Sequence, residues 1–172
     1  MLQSLGPAAS NLLAPASAAI DQVRAAIDAD WQAAALELLA GSWREQITAA
    51  AAIALSDKPL SDDPLLAALW RAIDGASWVA PQLVAAALIA DPTFEARAAD
   101  RLADASRRPP KTIGALVRAY TRCPARRMPV MAQLTVHDRT MATEEARIGV
   151  RGVDGWLDYF GGAPAPLTSR SS

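Results

Sequence analysis

A chain of 172 residues with 52% hydrophobic and 20% charged side chains has an ordinary globular balance, and it is long enough to bury a core in one domain. A net charge of −1 leaves no nucleic-acid footprint over the chain as a whole. One cysteine, Cys123, excludes an internal disulfide, and with one histidine, His137, it cannot furnish a zinc site of the usual Cys/His kind.

Alanine dominates and aromatics make up only 5%, a mixture that favours helix because alanine loses no side-chain entropy there. The first twenty residues carry no charge, but Gly6 and Pro7 interrupt them. A secretory leader or membrane span is therefore not expected, and the protein reads as cytoplasmic. Residues 1–15 read as a loose arm. Helical spacing begins near Ser17 with Ile20, Val23, Ala26 and Ile27. A second helix follows Asp30, with Trp31, Ala34, Ala35, Leu38 and Leu39 as its apolar stripe, and Gly41 ends it.

Ser42 and Glu45 form the capping-box pattern S-x-x-E ahead of a helix that runs to Leu55. After the turn-rich stretch SDKPLSDDP, Asp63 and Pro64 supply a cap and a proline at the first helical position. That helix carries Leu65, Leu66, Leu69, Trp70 and Ile73 and ends at Gly75. The spacing predicts further helices over 77–90, 92–105 and 112–122, with SRRPPK as a breaker between the last two. Residues 124–142 fit either a short helix or an extended stretch. Thr143 then caps a helix with Glu144 and Glu145 in its first turn. Gly149, Gly152 and Gly155 either permit close packing or break this helix in two. One domain is expected over 1–162, with a tail at 163–172.

The helices group as pairs: 30–40 with 42–55, 63–74 with 77–90, and 92–105 with 112–122. Ser42-Trp43 recurs as Ser77-Trp78 after 35 residues, and Gly41 recurs as Gly75 after 34. Pairs at that period predict an all-α fold, a short solenoid of antiparallel helix pairs. At Ser42–Gln46, and in the alanine-rich stretch that follows, the chain resembles HEAT-like helical repeat proteins over about residues 30–122. It is also similar to small bacterial proteins with a Ser-Trp-Arg-Glu-Gln helix entrance. Some HEAT-like proteins of this size are immunity proteins, which bind and neutralise a toxin of the same cell. The resemblance thus implies a binding protein rather than an enzyme.

No P-loop, Rossmann fingerprint or G-x-S-x-G nucleophile elbow occurs in the sequence, and no cofactor is implied. His137-Asp138-Arg139 is a run of neighbours, not a triad. Cys123 lies among cations that would favour a thiolate if it were exposed. Asp57, Asp62 and Asp63 lack the ligand spacing of a calcium loop.

Through Ser106 there are 6 basic and 13 acidic residues, and after it 11 basic and 5 acidic. The acidic half would steer the protein toward a basic partner. Trp43, Arg44, Glu45, Asp57, Asp62, Asp63 and Trp78 are the candidate partner-binding residues. Trp43 and Trp78 are either interface anchors or fillers between stacked pairs. The alternative reading is a nucleic-acid-binding helical repeat that uses the acid-free stretch 107–127. Its candidates are Arg107, Arg108, Lys111, Arg118 and Arg122, with Arg118 and Arg122 one helical turn apart. These cations would otherwise form a solvated face or pair within the chain.

Overall fold

Capping and proline chemistry place most of the helix ends. The computed structural model describes residues 31–56, 59–60, 64–75, 77–123 and 143–160. The arm at 1–15, the helix expected from Ser17, the stretch 124–142 with His137, and the tail at 163–172 lie outside them. All regular structure among the described residues is helical. It comprises α1 (Trp31–Leu39), α2 (Trp43–Leu55), α3 (Pro64–Asp74), α4 (Ala80–Ala90), α5 (Phe94–Ala103), a short 3₁₀ turn (Ala105–Arg107), α6 (Pro110–Tyr120) and α7 (Glu144–Tyr159). Ser42 and Glu45 form the capping box of α2. Pro64 opens α3, and Thr143 Oγ1 accepts the Ala146 N–H at 3.2 Å at the start of α7.

Three starts differ from the sequence reading: the helix expected from residue 92 begins at Phe94, and proline is the reason for the other two. The fourth helix begins at Ala80 rather than Ser77, because Pro81 is tolerated only in a first turn, where its missing N–H costs nothing. Pro110 likewise opens α6 two residues before Thr112. Ser77, Trp78 and Val79 thus form a turn, closed by the Ala80 N–H on the Ser77 carbonyl at 3.1 Å.

The core forms around α4. Nine of its eleven residues are buried, which fits a helix that is apolar all round. It contacts α2, α3, α6 and α7. Successive helices α1 and α2, α3 and α4, and α5 and α6 pack together, while α1 meets α3, α2 meets α4, and α4 meets α6. Consecutive alanines 49–52 of α2 and 85–87 of α4 are buried, as short side chains allow where helix backbones come close.

The last helix, α7, lies against α6 and α4 and stays unbroken through Gly149, Gly152 and Gly155. Its glycines serve close packing: a Cβ on Gly149 would meet the Lys111 and Ala115 backbone, and one on Gly152 would meet Pro81. Among the described residues, no helix is long and apolar enough to cross a membrane.

Trp70 ties α3 to the α4–α5 link. Its indole N–H donates to Asp91 Oδ2 at 2.8 Å, and both residues are buried. The other Asp91 oxygen accepts the Thr93 N–H at 2.7 Å and the Thr93 hydroxyl at 2.8 Å. Arg101 stacks 4.2 Å from the Trp70 ring centroid. Trp70→Phe is expected to cost about 1–3 kcal/mol, because the buried Asp91 oxygen loses its short indole bond and keeps Arg97 Nε at 3.5 Å, while the apolar contacts largely remain. Urea unfolding would measure this, and an unchanged midpoint would refute the bond's contribution.

Candidate functional site

Apolar side chains left in solvent are the informative exception in a small helical protein. Trp43, the first residue of α2, is 49% exposed, and Trp78, in the turn before α4, is 81% exposed. Neither fills space between helix pairs. Both border a groove of about 670 Å³. Leu36 and Leu39 of α1, Ala68, Arg71 and Ala72 of α3, and Gln46 of α2 line it as well. A second recess of about 450 Å³ lies between Trp43, Ile47, Trp78 and Val79.

One glutamine in the groove wall links both Ser-Trp elements. Gln46 donates to the Leu39 carbonyl at 3.2 Å and to the Gly41 carbonyl at 3.3 Å. Its side-chain oxygen accepts the Ser77 hydroxyl at 2.5 Å. The helix that begins at Trp43 is thereby bonded to the turn that holds Trp78.

Cations edge the groove. The Arg44 guanidinium lies 4.7 Å from the Trp43 ring centroid, and Lys111 Nζ lies 5.1 Å from that of Trp78. Lys111 also donates to the Trp78 carbonyl, and burial moves its pKa below the ordinary lysine value. Among the described residues, Arg71 is the one charged residue that lines the groove, and no carboxylate among them pairs with it. Glu45 is exposed, and its carboxylate accepts the Ser42 N–H, which holds its pKa below the usual carboxylate range.

The structure therefore brings Trp43, Arg44, Glu45 and Trp78 to one region, while Asp57, Asp62 and Asp63 lie outside the described residues. Sequence reasoning missed Leu36, Gln46 and Arg71. Gln46 ends the pentapeptide that attracted notice, but its partner stands 31 positions away. Arg71 follows the buried Trp70 and so faces away from the core.

The second candidate set divides between separate partners. Arg118 and Arg122 both bind Asp154 of α7, at 2.7 and 2.8 Å. Burial works to raise the Asp154 pKa, but the hydrogen bonds and charges of the two arginines outweigh it and hold the carboxyl low. Arg108 reaches Asp74 at 3.3 Å and the Asp104 carbonyl at 2.9 Å, while exposed Arg107 meets Asp104 at 3.4 Å. Lys111 lies over the Trp78 ring at the edge of the groove.

Cys123 is buried and directs its thiol at the Ala119 carbonyl, 3.8 Å away. Burial, aided by Glu95, pushes its pKa up to about 11. The native thiol is expected to react with an aromatic disulfide at pH 8 far more slowly than the urea-unfolded chain. Stability should be insensitive to this group below pH ~9 and fall as pH rises from there through about 11, because the unfolded thiol loses its proton first. Equal thiol rates for folded and unfolded protein would refute this placement. Among the described residues, no cluster of three His, Cys, Asp or Glu side chains could hold a metal ion.

Comparison with protein-family models, curated proteins and solved structures finds no match to this chain. The functional reading therefore rests on the groove itself.

Proposed function

We propose that this is a protein-binding module, a short HEAT-like stack of antiparallel helix pairs, and that it acts in the bacterial cytoplasm as an immunity-type protein that neutralises a cognate toxin. It needs no cofactor and catalyses no reaction in this reading. The pairing of α1 with α2, α3 with α4 and α5 with α6, with α2, α4 and α6 side by side, supports the stacked arrangement. The observation that carries the binding role is the pair of exposed tryptophans on one apolar groove. Solvating two indoles is unfavourable for an isolated molecule, and tryptophan is prominent among interface hot spots. The acidic excess before Arg107 would speed the approach of a basic partner. The nucleic-acid alternative is less well supported, because Arg118 and Arg122 already share Asp154.

Affinity capture from native cells, at physiological salt with nuclease, tests the reading. A single stoichiometric protein is expected, retained by the wild type and lost from a Trp43→Ala/Trp78→Ala double variant. Recovery of nucleic acid alone, when nuclease is omitted, would overturn it. The toxin assignment requires that the captured protein arrest growth when expressed alone and not when this chain is co-expressed. A harmless partner removes that assignment and leaves the binding role.

A further inference from the structure

The chemistry of the groove narrows what seats in it. Among the described residues, its lining is apolar except for the polar groups of Ser42, Gln46 and Ser77 and the single charge of Arg71. No carboxylate among the described residues lines it. One face of each flanking indole already carries a cation, Arg44 on Trp43 and Lys111 on Trp78. A cationic ligand would have to displace those contacts and approach Arg71 with like charge. An apolar side chain with a carboxylate nearby meets the opposite conditions. It covers the indoles and supplies Arg71 with the partner that the described residues lack.

Building on the binding-module reading, we propose that the groove takes a segment of the partner protein that presents a large apolar anchor with an Asp or Glu within a few positions. The anchor lies between Trp43 and Trp78, and the carboxylate meets Arg71. This local preference is opposite in sign to the acidic excess before Arg107. The two act at different ranges. Net charge biases diffusional approach, whereas seating is decided by the groups that the segment touches.

Selection from a library of displayed random peptides, linear and disulfide-constrained, on the intact protein tests the proposal. Four baits are used: wild type, Arg71→Glu, Trp43→Ala and Trp78→Ala. All three positions are exposed, so unaltered circular dichroism and melting are expected and are checked first. Wild type should enrich a large apolar residue accompanied by Asp or Glu. Arg71→Glu should shift the accompanying charge toward Lys or Arg, and representative wild-type binders should bind this variant at least tenfold more weakly. Each tryptophan variant should abolish the enrichment. Anchors with no charge preference, or with Lys or Arg on wild type, would overturn the carboxylate inference and leave the binding module standing. The absence of any enrichment that depends on the tryptophans would overturn both. Concentration-dependent dimers in sedimentation, lost in Trp78→Ala, would overturn the proposal in favour of a second copy as occupant.

Discussion

Trp78→Ala is expected to leave folding nearly untouched and to weaken partner binding at least roughly thirtyfold, the equivalent of about 2 kcal/mol. The side chain is 81% exposed, so little packing is lost, and substitutions away from buried features stay within about 0.5 kcal/mol. The melting temperature should move by no more than about 2 °C in a chain of this size. Its charged contact among the described residues is Lys111 over the ring, a surface cation–π pair of about 0.5–1 kcal/mol whose loss is offset by better hydration of the ammonium. In a complex the same indole would be covered on both faces, and its loss would remove the whole of that burial.

Trp43→Ala should cost less in binding, since the ring is already half covered, and slightly more in stability. The double variant tests whether the two act together. If both touch one anchor, their effects are non-additive by about 0.5–3 kcal/mol, whereas separate contacts would add. Binding unchanged in Trp78→Ala, measured by calorimetry with the captured partner, would remove the groove from the interface.

Local chemistry was legible in the sequence, and distant partners were not. Gly41, the Ser42–Glu45 box, Pro64 and Thr143 each act within one turn, so the ends they set could be read directly. Ser77 was misleading because a good cap residue competed with Pro81, and the proline's missing N–H decided where α4 begins. Exposure of the tryptophans was not legible, because periodicity identifies a face without saying what covers it. The Ser-Trp repeat did indicate that Trp43 and Trp78 belong together. Nevertheless, one starts a helix and the other sits in a turn. The Gln46–Ser77 bond that relates them joins residues in different helix pairs. Similarly, the one-turn spacing of Arg118 and Arg122 predicted a shared face, but Asp154 reaches that face from a helix 32 and 36 positions away.

The largest loss of stability is expected at the crossing of α6 and α7. A Cβ on Gly114 would lie 2.7 Å from the Ala146 carbonyl carbon and 2.8 Å from its Cα, and it would run into the carbonyl oxygen. The obstacle is helix backbone, which cannot rotate aside as a side chain can. Gly114→Ala must therefore push α7 away from α6 and disturb the buried side chains Ala146, Val153 and Leu157. Overpacking costs about 1–3 kcal/mol and occasionally more, and a backbone clash belongs at the upper end. At about 2–4 °C per kcal/mol, the melting temperature should fall by roughly 6–12 °C. The α7 amides should lose hydrogen-exchange protection before those of α4. Gly155 provides the control, because nothing stands within 4 Å of its would-be Cβ. Gly155→Ala should stabilise by about 0.4–1 kcal/mol, since alanine holds a helix better than glycine and has less backbone freedom to lose. Opposite signs for the same substitution, 41 positions apart in the chain, would establish that close backbone approach, and not glycine content, holds α7 in place. Equal effects at the two positions would show that α7 can shift without loss.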